Sequence, residues 1–341
     1  MVDFESNLDL WIDGRWDSLD KPQIYANQHG FNYGTTGFEG GCTYRRNGED
    51  NVIVFRPKDR FIRFREQTAK ELFLDVKQTP EELTEITKEL IRRNEAKLKR
   101  GEVVKTLSKG QIQEVKEPPQ RWYVRPIVTH SARCLGVYTP PETGVIIYVE
   151  PFGRYHGDDA FKNGLKLKIV EQRRIDPRSL SSTAKLSAHY AVGYKACKAA
   201  RDAGANESIL LDMFGYVADG SGGSPCMIKD GTLYFPRGHS SLNGIVRKSM
   251  AELARKELKM KVRQIDFSPK QFYCSDEIMM TGNAAEVTHA REVDGHLIGD
   301  GSIGPYVKKF QDMFFGTVLN DPNLFPNCEK YQHWCEPVYS N

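Results

Sequence analysis

The chain has 341 residues, of which 39% are hydrophobic and 27% charged, as in ordinary globular proteins. Its 48 basic and 45 acidic residues leave a formal charge of +3 at pH 7, which argues against a nucleic-acid binder. The sequence contains no run of about 18 apolar residues, so a membrane span is not expected. The length suffices for two domains or one large one.

The N-terminal segment MVDFESNLDL has neither the positive start nor the apolar centre of a signal peptide. The seven cysteines are scattered and form no CxxC pair. These features indicate reduced thiols and predict a cytoplasmic protein. No spacing of histidine, cysteine or acidic residues predicts a metal site.

The first part of the chain alternates strands with helices. LWIDGRWDS (10–18) is typical of a hairpin with an Asp-Gly turn. The stretch 51–73 begins as a strand and continues as a helix, with Pro57 in the first turn of that helix. Apolar residues recur at helical spacing in 80–100, which predicts an amphipathic helix. The polar stretch 101–120 then reads as a solvated excursion.

Strands and helices also mix in the remainder of the chain. Strands are expected at 121–129, 143–152, 165–172, 207–220 and 226–236. Helices are expected at 189–204, 245–258 and 305–319. Because strands and helices do not alternate strictly, the predicted fold class is α+β rather than a doubly wound sheet. The Gly-rich, polar stretch 151–161 predicts a loop between domains at 1–150 and 162–341.

Lys185 lies behind a run of small residues in SSTAKLSAHY (181–190). A lysine that acts as a nucleophile must be neutral for part of the time, and burial or nearby cations lower its pKa. The other interpretation is a solvated lysine near the start of a helix. The local sequence does not decide between the two.

Seven motifs along the chain favour the interpretation of Lys185 as a nucleophile. They are HGFNYGTTGFEGG (29–41), VFRPKDRFIRF (54–64), YVRP (123–126), TAKLSAHY (183–190), GYVADGSGG (215–223), LNGIVR (242–247) and MMTGNAAEVTHAREVDG (279–295). In these motifs the chain resembles the branched-chain amino-acid aminotransferase family of fold-type IV enzymes, which depend on pyridoxal 5'-phosphate (PLP). Each motif alone is a weak signal, but seven in family order are a strong one.

The resemblance extends from about Leu10 to about Thr317 and implies a fold. That fold has two domains, as in D-amino-acid aminotransferase: a small α/β N-terminal domain and a larger, β-barrel-like C-terminal domain with helices. The family works as a homodimer, so a homodimer is expected.

The resemblance also implies a PLP site. Lys185 matches the lysine that forms the internal aldimine and moves the substrate's proton, which requires a nucleophile and a base. Tyr190 matches the tyrosine that binds the phenolic oxygen of the cofactor. The phosphate is assigned to the arginine at Arg63 and, further along the chain, to residues that match the family's phosphate loops. These are Ile245, Val246 and Asn283.

Asp219 is the main departure from the family pattern. The family has a glutamate at this position, 34 residues after the lysine, where its carboxylate keeps the pyridine nitrogen protonated. Aspartate carries the same charge but is one methylene shorter. Gly223 and Ser224 stand where the family has glutamate and asparagine, which alters the support around the ring. Valine and asparagine at 246 and 283 replace threonines.

Substrate residues are also implied. Tyr123 and the turn at Ala284 and Ala285 match groups that bind the α-carboxylate, and Arg125 matches the arginine that receives a side-chain carboxylate. The pair in YVRP favours L-amino acids. Phe38 and Tyr33 match aromatic residues of the pocket, with core packing equally open for Phe38. His156 is either a specificity residue or a solvated loop histidine, and Cys42 replaces a family arginine.

We therefore expect a PLP-dependent aminotransferase that moves an amino group between an L-amino acid, branched-chain or related, and a 2-oxo acid. The same fold hosts lyases such as aminodeoxychorismate lyase, so a lyase or a specialised biosynthetic enzyme is an alternative. A more remote alternative is an inactive scaffold. Lys185, Tyr190 and Arg63 argue against that last possibility.

Overall fold

The computed structural model describes residues 5–48, 50–108 and 111–339. The chain divides into two compact units. The first contains the chain up to Gly153 and resumes at Lys330, and the second is Arg154–Glu329. Both units mix strands with helices, which confirms the α+β fold class.

Strands occur throughout the chain. In the first unit they are β1 (Asp9–Ile12), β2 (Arg15–Ser18), β3 (Thr36–Phe38), β4 (Gly41–Arg45), β5 (Val52–Phe55), β6 (Val104–Ser108), β7 (Gln111–Val115), β8 (Trp122–His130) and β9 (Thr143–Pro151). In the second unit they are β10 (Leu165–Arg173), β11 (Glu207–Leu211), β12 (Val217–Gly220), β13 (Ser224–Lys229), β14 (Thr232–Pro236), β15 (Lys261–Ile265), β16 (Glu277–Gly282), β17 (Glu286–Val293) and β18 (His296–Leu297). The strand β19 (Cys335–Pro337) returns to the first unit.

Helices connect many of these strands. They are α1 (His29–Tyr33), α2 (Pro57–Arg63), α3 (Pro80–Lys99), α4 (Asp158–Asn163), α5 (Ser187–Asp202), α6 (Ile245–Lys256), α7 (Pro269–Tyr273) and α8 (Pro305–Leu319). A π-helical turn, Phe64–Ala69, extends α2, and a 3₁₀ helix, Cys328–Trp334, precedes β19. The predicted helix at 80–100 is confirmed, and a capping box between Thr79 and Glu82 fixes its start.

The sheet of the first unit has the order β19-β5-β4-β8-β9-β1-β2, and β3 also pairs with β8. The strands β8 and β9 pair antiparallel over nine residues each. Val124 and Val128 of β8 enter the core, which also contains Leu83 and Leu90 of α3. Because side chains alternate along a strand, the other face of β8 and β9 carries half-buried polar and aromatic residues.

The sheet of the second unit has the order β12-β11-β10-β17-β16-β13-β14-β15. The pairs of β10 with β11 and with β17, and of β14 with β15, are parallel. The helix α5 packs on β10 and β11 through Ala196 and Ala200, which contact Val170 and Leu210. This packing fixes α5, which begins two residues after Lys185, against the sheet.

The two units differ from the predicted domains at the C-terminal end. The sequence assigns 162–341 to one domain, whereas the structure groups the residues from Lys330 onwards with the first unit. The strand β19 pairs antiparallel with β5, with Cys335 opposite Phe55. A pairing between strands so far apart in sequence leaves no local signature. The division at Gly153 lies inside the predicted loop 151–161.

The polar stretch 101–120 contains more regular structure than expected. β6 and β7 pair antiparallel within it, with Val104 opposite Val115. Most of the side chains described in β7 are exposed. The stretch therefore is solvated, as predicted, but it is a hairpin.

Candidate active site

Lys185 and Tyr190 are in direct contact at the start of α5. The ammonium group of Lys185 donates a hydrogen bond to the Tyr190 hydroxyl and lies 4.7 Å from the centre of the tyrosine ring. Both side chains are half-buried. By contrast, Lys195 and Lys198 on the same helix are exposed, and Lys198 pairs with Asp202 at 2.6 Å. The structure thus distinguishes Lys185 from its neighbouring lysines.

Asp219 is a buried carboxylate on β12 that is held by several donors. One of its oxygens accepts hydrogen bonds from Ser224 Oγ at 2.9 Å and from the Gly220 amide at 3.2 Å. The other accepts from the Leu242 amide at 3.1 Å and lies 3.9 Å from an Arg174 nitrogen. Ser224, predicted to alter the support around the ring, donates directly to Asp219.

Arg174 pairs with Asp219, and its charge also acts on His189, four residues after Lys185. His189, one turn along α5 from Lys185, is 4% exposed. Burial lowers the pKa of His189 to about 4, and the positive charges of Arg174 and Lys185 add to this effect. The same Arg174 is ion-paired with Asp219. Lys185 and Tyr190, which are hydrogen-bonded to each other, and the buried carboxylate of Asp219 all lie in the second unit.

The segment just before α6 contacts Asp219. Ile245 and Val246 are buried in its first turn, and Gly244 at the N-cap has no side chain to accept their amide protons. The amide of Leu242, just before this turn, binds Asp219. A helix start without a side-chain cap offers amide protons to an anion such as phosphate.

Asn283, Ala284 and Ala285 form the turn between β16 and β17. Glu286 follows this turn with a positive φ of 55°. Its carboxylate pairs with Arg154 at 3.1 Å, and the Ala285 carbonyl accepts from Thr288 at 2.7 Å. These bonds fix the backbone of the turn, which is the part that the resemblance assigns to carboxylate binding.

His156 is buried beside Glu207, with its ring nitrogen 3.8 Å from a carboxylate oxygen. The side chain of His156 is 3% exposed and packs edge-on against Tyr155. Glu207 in turn accepts hydrogen bonds from the amide and hydroxyl of Ser221 in the glycine loop 220–223. The structure therefore places His156 in a packed layer next to this loop rather than in solvent.

Three of the predicted substrate residues form a cluster in the first unit. The guanidinium of Arg125 lies 4.3 Å from the ring centre of Phe38 and 5.1 Å from that of Tyr123. It also donates to the Tyr123 hydroxyl at 3.3 Å. We call these three residues the Arg125 cluster. Tyr33 lies elsewhere, on α1, where its hydroxyl accepts from the Gly136 amide at 2.9 Å.

Arg63 is buried in the first unit and forms a two-pronged ion pair with Glu39. Its Nε and one terminal nitrogen lie 2.6 Å and 2.8 Å from the two carboxylate oxygens. This pair uses two of the five N–H groups of the guanidinium. Cys42, where the family has arginine, is fully buried on β4 opposite Tyr123.

The model of one protein family, amino-transferase class IV, matches residues 47–293 of this chain. The chain belongs to this family. This class IV aminotransferase is 32% identical over 334 residues to the branched-chain-amino-acid aminotransferase of Salmonella typhimurium, with 97% of each chain covered. The crystal structure of the Escherichia coli branched-chain amino acid aminotransferase matches with a TM-score of 0.84 at 29% identity, covering 97% of this chain and 99% of that one.

A further solved structure is that of a branched-chain aminotransferase from the thermophilic archaeon Thermoproteus uzoniensis with norvaline. It has a TM-score of 0.83 to this class IV aminotransferase at 27% identity and covers 98% of this chain and 100% of that one. Another solved branched-chain amino acid aminotransferase, crystallised with pyridoxamine 5'-phosphate, has a TM-score of 0.84 at 28% identity. The predicted family and the predicted two-domain, fold-type IV architecture are confirmed by these matches.

Several residues around the site of this class IV aminotransferase escape sequence reasoning. Glu39 lies in a quoted motif but is not predicted to pair with Arg63. Arg174 and Glu207 lie outside the motifs, and Tyr155 lies in the predicted loop. Their roles depend on contacts across the sheets, so no local pattern could identify them. The closeness of a buried acid to a buried base is visible only in the fold.

One group of metal-binding residue types also lies in the second unit. Asp212, His239 and Asp266 bring one ligand atom each to within 4.8 Å of one another. Asp212 accepts from two backbone amides of its own turn, and Arg237 pairs with Asp266 at 3.1 Å. These contacts account for the grouping, because the side chains anchor loops.

Among the described residues, every helix is too short or too polar to cross a membrane.

Proposed function

We propose that this protein is a PLP-dependent aminotransferase that transfers an amino group between an L-amino acid, branched-chain or related, and a 2-oxo acid. The observation that carries the proposal is the hydrogen bond from Lys185 to Tyr190, in the same unit as the buried carboxylate of Asp219. The relatives named above are branched-chain aminotransferases, and this chain matches them over nearly their whole length. The match favours a transaminase over a lyase.

The residues of the second unit fit PLP by their chemistry. Lys185 supplies the amine that binds the cofactor, and Tyr190 the hydroxyl for its phenolic oxygen. Asp219, with Arg174 and three hydrogen-bond donors around it, is a fixed negative charge for the pyridine nitrogen. The uncapped start of α6 at Ile245 and Val246 suits the phosphate. Arg63 and Asn283 are proposed as further phosphate ligands.

When bound, PLP supplies the electron sink that makes the proton on the substrate's α-carbon acidic. Lys185, whose half-buried side chain is hydrogen-bonded to Tyr190, would act as the base that takes that proton and returns it. Asp219 keeps the ring nitrogen protonated because its negative charge stabilises a positive one. The backbone of Ala284 and Ala285 and the hydroxyl of Tyr123 are proposed to orient the α-carboxylate, and Arg125 the side chain.

The remaining proposals concern assembly and substrate contacts. Phe38, Tyr33 and His156 are proposed as pocket residues; Phe38 belongs to the Arg125 cluster, and the Tyr33 hydroxyl accepts from the Gly136 amide. We also propose a cytoplasmic homodimer. Light scattering of the purified protein would give the mass of the assembly, and a monomeric mass would contradict the dimer.

The experiment that tests the function is the isolated half-reaction. Purified protein with PLP should acquire visible absorption, and an L-branched-chain amino acid without any 2-oxo acid should convert the cofactor to its amine form. The variant Lys185→Ala should fail in both, with Lys195→Ala as the matched control. Colourless protein that does not take up PLP would overturn the proposal. Release of pyruvate from added aminodeoxychorismate, without formation of the amine form from the branched-chain amino acid, would identify a lyase.

A further inference from the structure

Glu150 lies on the same face of the first-unit sheet as the Arg125 cluster. In the β8–β9 pairing, Tyr123 is opposite Glu150 and Arg125 is opposite Tyr148. All four side chains are half-buried, because they alternate with residues that enter the core. Glu150 is therefore the diagonal neighbour of Arg125, a distance that long side chains can bridge.

The charges of Glu150 and Arg125 act on each other at this distance. Burial raises the pKa of Glu150, and the positive charge of Arg125 opposes that rise. Tyr148 lies between the two, and burial raises its pKa while Arg125 opposes and Glu150 reinforces the rise. The face therefore carries one positive and one negative group side by side, rather than the isolated cation that would best attract an anion.

We propose that Glu150 is a specificity-determining residue, which offsets the attraction of Arg125 for a side-chain carboxylate and so favours uncharged amino donors over dicarboxylic ones. This inference rests on the proposed function, in which Arg125 meets the substrate's side chain. A ligand with a second carboxylate would approach Arg125 against the field of Glu150. A ligand with an apolar side chain has no charge for that field to act on.

The expected effect is a change in selectivity. Glu150→Gln keeps the shape of the side chain and removes its charge. At about pH 8, where a carboxyl group is ionised, the affinity for glutarate relative to 4-methylvalerate should rise about three- to tenfold, since the two charges lie within one Debye length of each other. The two acids share one carboxylate and differ in the second, so their ratio isolates the side-chain charge.

The test uses calorimetric dissociation constants of both acids on the PLP-loaded protein, and KM for glutamate and for leucine in the half-reaction. Glu142→Gln, an exposed glutamate just before β9, is the matched control and should leave the ratio unchanged. In an Arg125→Met background the effect of Glu150→Gln should be smaller, because the second carboxylate is then no longer held beside Glu150.

An unchanged ratio in Glu150→Gln, or the same change with and without Arg125, would overturn the inference. Failure of the proposed function looks different, since the unmodified protein would then give no half-reaction with leucine. The calorimetric ratio does not require turnover, so the two failures can be told apart.

Discussion

Arg63 and Glu39 form a buried two-pronged ion pair in the first unit, with nitrogen–oxygen distances of 2.6 Å and 2.8 Å. Both side chains are at most 7% exposed. A phosphate ligand normally attracts an arginine by its charge, and here a carboxylate already shares that guanidinium. Glu39 therefore fixes the orientation of Arg63 whether or not a phosphate is bound.

Removal of the carboxylate should destabilise the protein strongly. Glu39→Ala leaves the buried guanidinium of Arg63 without its counter-charge, and breaking such a pair costs about 3–5 kcal/mol. Urea unfolding of the cofactor-free protein measures this loss. The matched control is Glu66→Ala, which removes one partner of the exposed pair with Lys70 and should leave the unfolding free energy essentially unchanged. Equal losses in the two variants would contradict the prediction.

The charge of Asp219 should matter more than its length. Asp219→Asn should slow the half-reaction on the order of 10²-fold, because the neutral amide does not hold the pyridine nitrogen protonated. Asp219→Glu keeps the charge and restores the family residue, so it should lose much less. Stopped-flow absorbance gives both rates. If the two variants lost activity equally, Asp219 would not be the partner of the ring nitrogen.

Ser224 should act through Asp219. Ser224→Ala removes the 2.9 Å hydrogen bond to the carboxylate and leaves the other donors in place. A hydrogen bond to a charged group contributes about 1.5–3 kcal/mol, so the free energy of unfolding should fall by up to that amount. In an Asp219→Asn background the further loss should be smaller, and a fully additive loss would separate the two residues.

Tyr190 should assist Lys185. Tyr190→Phe removes the hydroxyl that accepts from the lysine and should slow the half-reaction about tenfold, the size expected for one hydrogen bond. Tyr194→Phe, an exposed tyrosine on the same helix, serves as the control. Visible absorption of the PLP-loaded protein provides a second readout, because the hydroxyl is proposed to touch the cofactor. An unaltered spectrum and rate would exclude that role.

His189 should make the protein sensitive to acid. Its pKa is about 4, below the ordinary 6.5, so the unfolded chain takes up the proton first as the pH falls. The stability contributed by the neutral ring is thus present above about pH 6.5 and is lost as the pH falls towards 4. At pH 4 the loss is on the order of 2–3 kcal/mol. His189→Phe should reduce it, as measured by urea unfolding across this range.

The exposed His296 provides the control for this series, since His296→Phe should leave the acid limb of the stability curve in place. Both ring nitrogens of His189 are buried without a hydrogen-bond partner. The Phe variant should therefore keep its stability at neutral pH, because the substitution removes two unsatisfied polar atoms. A loss at neutral pH with an unchanged acid limb would contradict this account.

The sequence predicts the local elements of the second unit well. The helices α3, α5 and α6 follow from apolar spacing, whereas the contact between Lys185 and Tyr190 is seen only in the structure. The sequence does not predict which strands and side chains contact each other. Periodicity shows which face of a strand is buried, but it does not show which strand will lie beside it.

The residues that support the site illustrate this limit. Arg174 meets Asp219 because β10, β11 and β12 are neighbours in the sheet, and no pattern near either residue indicates it. Glu150 faces the same side as Arg125 through the register of β8 and β9. Ser224 was expected to alter the support around the ring, since only its departure from the family was visible. The structure shows how, because its hydroxyl donates to Asp219.

The return of β19 to β5 has a consequence for synthesis in the cell. The first unit is interrupted by the whole of the second, since its sheet includes residues that follow Glu329. During translation the second unit is therefore complete before β5 can gain its neighbour. Until then β5 lacks a strand that the finished sheet provides, and an unpaired edge invites pairing with other chains. We therefore expect β5 to be most open to pairing with other chains in that interval.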